Sequence, residues 1–143
     1  ITRPDYPSYG NWIARGATTL WEVFQPEGSD RIGSLNHHFW GDISSWFTQA
    51  LSGIRMAPHG EPNEVDFRPS FISRLTHAEA FHIAPAGRIA SAWERDEDDV
   101  IVLTVELPST MHGVIRLESG YVFEDGLAYK AAESGTYRIH SIE

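Results

Sequence analysis

The 143-residue chain contains no cysteine. Disulfides, thiolate metal sites and a cysteine nucleophile are thereby excluded, while the redox compartment stays open. Basic residues are scarce: 11 Lys and Arg face 20 Asp and Glu, for a net charge of -9. That balance argues against nucleic acid or an anionic membrane surface as partner, because both need clustered cations. It raises no objection to a neutral ligand such as a sugar. No run approaches the roughly eighteen apolar residues of a membrane span, and no charged-then-apolar signal segment opens the chain. There is no initiator methionine, and with the abrupt start "ITRPDYPSYG" this points to a processed chain or a piece of something longer. The G-x-S-x-G and H-E-x-x-H patterns and a phosphate-cradling glycine loop are also missing, so neither a metal nor a cofactor is expected.

What is present divides near "APHGEPNE", residues 57–64, where two prolines and a glycine punctuate a polar stretch. Residues 1–57 hold five acids and four bases, net -1, and four of the five tryptophans; residues 58–143 hold fifteen acids and seven bases, net -8. In the first part, "PSYGNWIARG" reads as a short helix capped by Ser8 and stopped at Gly16. In "HHFWGDISSWFTQALSGIR", Phe39, Ile43, Trp46, Phe47, Ala50, Leu51 and Ile54 recur at helical spacing, which predicts an amphipathic helix ending near Gly53. The second part alternates with period two. "GRIASAWERDEDDVIVLTVELP" predicts a hairpin with Ile89, Ser91 and Trp93 on one face and Ile101, Leu103, Val105 and Leu107 on one face of its partner. Further strands are expected at "EVDFRP", "THAEAFHIA", "HGVIRLES", "YVFEDG" and "GTYRIHSI", giving a mainly β chain with two N-terminal helices followed by an antiparallel β-sandwich. The acidic run Glu94 to Asp99 is most simply a solvated turn, with a calcium site as a lesser alternative.

Two stretches could carry chemistry. In "GATTLWEVF", Glu22 stands among Leu20, Trp21, Val23 and Phe24. A carboxylate enclosed by apolar groups has its charged form disfavoured, which shifts its titration toward the range useful for general acid or base work. The competing reading is a structural carboxylate bonded to backbone amides or to Arg15, Arg31 or Arg55. In "SLNHHFWG", Asn36 and His37 could bond sugar hydroxyls while Trp21 or Trp40 offers a flat apolar wall. The alternative there is that Ser34 and Asn36 cap the following helix.

Taken together, "YPSYGNWIARGATTLWEVF", "SLNHHFWGDISSWFTQALSGIR" and "APAGRIASAWERDEDDVIVLTVELPSTMHGVIRL" resemble, in order and spacing, the C-terminal end of bacterial α-L-rhamnosidases of glycoside hydrolase family 78. The resemblance implies that residues 1–57 are the closing helices of an (α/α)6 barrel and residues 64–143 the C-terminal β-sandwich. It implies an inverting hydrolysis of terminal α-L-rhamnosyl groups in which Glu22 is the general base, set roughly 6.5 to 9.5 Å from an acid so that water fits between. It further implies that His37 hydrogen-bonds the rhamnose, with Asn36 and Trp21 shaping the pocket. His38 and Trp40 receive no role from it. The family's general acid belongs to barrel sequence upstream, and neither Glu27, Asp30 nor Asp42 replaces it. The expected partners are therefore a rhamnose-containing glycoside and the remainder of the barrel, and the isolated chain is expected to be inactive.

Two other readings remain at this point. One is a carbohydrate-binding or structural β-sandwich module with a helical appendage. The other is a different (α/α)6 enzyme, such as a phosphorylase or an unsaturated glucuronyl hydrolase. The joint occurrence of TxWE and SxNH argues against the latter. Trp93, alternating with Ile89 and Ser91, is expected in the core rather than on a ligand face.

Overall fold

A computed structural model describes residues 1–29 and 33–142. The chain divides into two compact units, Ile1–Ser45 and Trp46–Glu143.

The first unit is built on a short helix, α1 (Tyr9–Ala14). Its start follows from Ser8, whose backbone is extended and whose hydroxyl accepts the Asn11 amide at 2.9 Å, satisfying one of the amides a helix leaves unpaired. Its end follows from Gly16, at φ +81. With that residue left-handed, Gly16 N donates to Ile13 O and Ala17 N to Trp12 O, both at 2.9 Å, the pairing that closes a Schellman motif. The helix buries Trp12, which is 2 % exposed. Phe24 stacks on Trp12 at 4.3 Å, Tyr9 meets it edge-on at 5.4 Å, and Trp21 lies tilted at 5.9 Å. This aromatic cluster is the core of the unit.

The amphipathic helix expected from His37 onward forms only in part. α2 (Ile43–Trp46) is a single turn, continued by a π-helical stretch, Phe47–Leu51. The residues before it are held elsewhere: His37 N donates to Leu20 O at 2.8 Å and Trp40 Nε1 to Glu22 O at 3.0 Å. These tertiary bonds outweigh a helical pattern whose apolar spacing is otherwise correct. The expected stop is found at Gly53, at φ +78. Ser34 and Asn36 consequently cap no helix.

Among the described residues the second unit holds nine strands in two sheets. β1 (Ile54–Met56), β2 (Glu64–Phe67), β6 (His112–Arg116) and β8 (Tyr129–Ala131) form one, in the order β1-β2-β6-β8. β3 (His77–Ala84), β4 (Gly87–Arg95), β5 (Ile101–Glu106), β7 (Tyr121–Phe123) and β9 (Gly135–Ser141) form the other, in the order β3-β4-β5-β9-β7. The expected strands are all present, and β1 and β8 are additional. The sheets are not wholly antiparallel as expected: β2 and β6 run parallel, with Val65 opposite Gly113 and Phe67 opposite Ile115. Strands β3, β4 and β5 intervene in sequence and belong to the other sheet, which is what allows β6 to return alongside β2 in the same direction. Gly113 is required there, because a Cβ would stand 1.6 Å from the Val65 carbonyl oxygen.

Alternation places one face of each sheet inward. Ile54, Val65, Phe67 and Ile115 from the first meet Ile89, Trp93, Ile101, Leu103, Val105, Phe123 and Ile139 from the second in one buried cluster. Trp93 is core, as expected, at 2 % exposed. The acidic run forms a self-bonded turn: Asp96 Oδ1 accepts the amides of Asp98 and Val100 at 3.0 and 2.9 Å. Arg95 Nη1 pairs with Asp99 Oδ1 at 2.6 Å. Among the described residues no group of three or more His, Asp or Glu could hold a metal ion.

Candidate functional site

Two loop segments of the first unit are bonded to one another and carry the residues of interest. Glu22 N donates to Ser34 O and His37 N to Leu20 O, each at 2.8 Å. Between these rungs the Glu22 carboxylate turns toward Ser34, and its Oε2 accepts the Ser34 amide at 2.8 Å. Gly33 lies against the same carboxylate: a Cβ there would meet Val23 Cγ2 at 3.2 Å and Glu22 Oε2 at 3.4 Å. From the other side, the Trp40 indole holds the Glu22 carbonyl, and Trp40 O in turn accepts the Tyr9 hydroxyl at 3.1 Å. Burial, and then the charge of Asp42, raise the Tyr9 phenol above its ordinary titration range.

Glu22 is therefore not enclosed by aromatics as the sequence implied. Its side chain is 36 % exposed. The chain bends at Glu22 and Val23, so Trp21 and Phe24 both reach the cluster around Trp12 while the carboxylate leaves it. Of the expected structural partners, a backbone amide is found, that of Ser34. Arg15 instead donates to Gln25 O at 2.7 Å and lies over the Trp21 ring at 5.2 Å; Arg55 is on β1; Arg31 and Asp30 lie outside the described residues.

His37 stands beside Glu22, its Nδ1 4.0 Å from Glu22 Oε2. Its Nε2 is buried and has no hydrogen-bond partner among the described residues. The ring is fixed by apolar contacts, with Phe39 edge-on at 4.0 Å and His38 stacked at 5.1 Å. Asn36 and His37 line a depression of about 480 Å³ with Thr19, Leu20, His38 and Gly41. Its wall is tied together by the Thr19 hydroxyl, which donates to Leu35 O.

The structure thus brings together three of the four residues singled out from sequence: Glu22 and His37 directly, and Asn36 through the shared depression. Trp21 faces the aromatic cluster and does not line it. Among the supports, Gly33 was passed over by sequence reasoning, Ser34 was considered only as a helix cap and Trp40 only as an apolar wall. Ser34 and Trp40 lie within the SxNHxxxG stretch, but the bonds they make reach residues 12 and 18 positions away, a relation that local spacing does not reveal.

A helical, aromatic-rich unit followed by a two-sheet unit is matched in glycosidases. Residues 1–51 match the family described as bacterial alpha-L-rhamnosidase 6 hairpin glycosidase domain, and residues 63–121 match the bacterial alpha-L-rhamnosidase C-terminal domain. The chain is thus a relative of the bacterial α-L-rhamnosidases and corresponds to their C-terminal region. It is 32% identical over 111 residues to an alpha-L-rhamnosidase of Formosa agariphila, covering 73% of this chain and 12% of that protein. With an alpha-L-rhamnosidase of Alteromonas sp. it shares 29% over 158 residues, covering 99% of this chain and 17% of that protein. The solved structure of the Streptomyces avermitilis alpha-L-rhamnosidase complexed with L-rhamnose superposes with a TM-score of 0.77 at 25% identity, covering 96% of this chain and 15% of that one. The chain spans less than a fifth of the length of each of these relatives.

Proposed function

We propose that this chain supplies the water-activating side of an inverting α-L-rhamnosidase site, with Glu22 as general base. The observation that carries the reading is the adjacency of Glu22 and His37, 4.0 Å apart, beside a depression wide enough for a monosaccharide. Ser34 N donates to Glu22 Oε2, and that bond fixes the orientation of the carboxylate. On this reading Oε1 is the oxygen that takes the water. His37 Nδ1, the ring nitrogen beside Glu22, can exchange a hydrogen bond with a sugar hydroxyl, and Asn36 adds a second directional partner. Rhamnose is the sugar named in the bound relative.

Inversion requires a second carboxyl group across the sugar to protonate the leaving oxygen. That acid, and the barrel hairpins that would carry it, are assigned to protein beyond these 143 residues. On this reading the residues up to Leu51 belong with the barrel and those from 64 onward with a sandwich domain, to which Ile54–Met56 also contributes as strand β1. Without a positioned acid, a loss of about a hundredfold to ten-thousandfold is expected, and losing the enclosing barrel removes positioning as well. The chain alone is therefore expected not to turn over an aryl α-L-rhamnoside.

Titration of the chain with L-rhamnose, followed by NMR, tests the assignment. Saturating shifts at Asn36, His37 and Glu22 are expected. Shifts confined to residues 64–142 would instead favour a carbohydrate-binding sandwich, and steady turnover abolished by Glu22→Gln would refute the inactivity of the chain.

A further inference from the structure

The outer face of the four-stranded sheet carries a concentration of positive charge that neither the sugar site nor the sandwich core uses. Arg55, Asp66 and Val114 are aligned across β1, β2 and β6. Side chains two positions apart share a face, so Arg68 and Arg116 stand on the same face as Arg55, opposite to Phe67 and Ile115. Arg68 and Arg116 follow directly opposed residues on adjacent strands, an unfavourable placement for like charges.

One carboxylate lies among them. Asp66, whose side chain is 2 % exposed, accepts from Arg68 Nη2 and Nε at 2.5 and 3.2 Å, and its Oδ2 lies 3.8 Å from Arg116 Nε. Arg55 is exposed and has no carboxylate partner among the described residues. The three arginines line a depression of about 280 Å³ with Pro69, Ser70, Leu117 and Glu118. Glu118 is already engaged, its Oε1 accepting the Phe71 amide at 2.8 Å, and its charge works against an anion here. Three guanidinium groups against two carboxylates still leave an excess positive charge, in a half of the chain that is otherwise strongly acidic.

The geometry points to an oxyanion-binding site in this depression, one that takes a sulfate, phosphate or carboxylate group on Arg55 and Arg116 with Ser70 at its edge. Guanidinium forks match such groups with paired N–H donors, and an oxyanion would relieve the repulsion between Arg68 and Arg116 that Asp66 offsets only in part. The site stands independently of the role of Glu22.

Titration with sodium sulfate at constant ionic strength, observed on the arginine Nε–Hε signals of the 143-residue chain, tests it. Saturating shifts at Arg55, Arg68 and Arg116, absent with chloride, are expected. Arg55→Gln, at an exposed position, should weaken binding by roughly tenfold or more while leaving the thermal melt unchanged. Glucuronate in place of sulfate separates the sources: tighter binding than sulfate identifies an anionic group carried on a saccharide, and equal or weaker binding a free oxyanion. A linear drift matched by chloride, or saturation that Arg55→Gln leaves intact, overturns the proposal.

Discussion

The indole Nε1 of Trp93 donates a 2.8 Å hydrogen bond to the carbonyl of Leu51. Trp93 sits mid-strand in β4 and Leu51 closes the π-helical stretch, so the last helical residues are bonded to the sandwich core. Phe71 packs edge-on against the same indole at 5.5 Å. Trp93→Phe keeps most of the apolar burial and removes the donor, leaving the Leu51 carbonyl without it. A loss of about 1–3 kcal/mol is expected, read as a lower urea midpoint with unchanged slope.

Gly113 makes a sharper test of the parallel β2–β6 pair. Gly113→Ala drives a Cβ into the Val65 carbonyl, and since both atoms are backbone-fixed the strands must separate. A loss of roughly 3 kcal/mol or more is expected, in line with severe overpacking. Gly135→Ala, where a Cβ meets nothing within 4 Å, should change stability by no more than about 0.5 kcal/mol. Comparable losses from both would contradict the parallel register.

These two sites show what was legible in the sequence. Alternation in Ile89-Ser91-Trp93 and Ile101-Leu103-Val105 marked the inner face of the five-stranded sheet, because period two is a local property of a strand. The parallel pairing was hidden, since it joins residues separated by three strands of another sheet. β8 is three residues long, and β1 resembled the tail of a helix. The helical pattern after His37 was genuine but lost to the bonds that tie His37 and Trp40 to residues 20–22. At the candidate site, residue types were legible from motif, whereas Gly33, Ser34 and Trp40 act through contacts that only the fold creates.

The cap of α1 offers a local measurement. Ser8→Ala removes the acceptor for Asn11 N and should cost about 1 kcal/mol. Faster amide exchange in residues 9–14 is expected, with exchange in the sandwich strands unaltered.

Asp125 gives the pH dependence its sign. The hydrogen bond from Lys130, with Nζ 2.5 Å from Oδ2, holds the Asp125 carboxyl below its ordinary range. A depressed folded-state pKa means that the contact contributes above the unfolded value and is lost as pH falls through the folded one. Lys130→Met should therefore move the Asp125 carboxyl titration upward by NMR. An unchanged midpoint would show that the pair is not formed in solution.

The role proposed for Glu22 is tested in a chimera that supplies the rest of the proposed barrel. Joining this chain to the upstream portion of the Streptomyces avermitilis enzyme, in place of the region it matches, should restore hydrolysis of an aryl α-L-rhamnoside. In that background Glu22→Gln preserves the shape and can still accept the Ser34 amide, but it cannot take a proton from water. A fall in kcat of about a hundredfold to ten-thousandfold is expected, with KM little changed. On the same proposal His37→Ala should act mainly on KM, because it removes the proposed sugar contact while the bonds from Ser34 and Trp40 to Glu22 remain. If Glu22→Gln altered KM alone, Glu22 would be a binding carboxylate and the base would have to be sought elsewhere in the barrel.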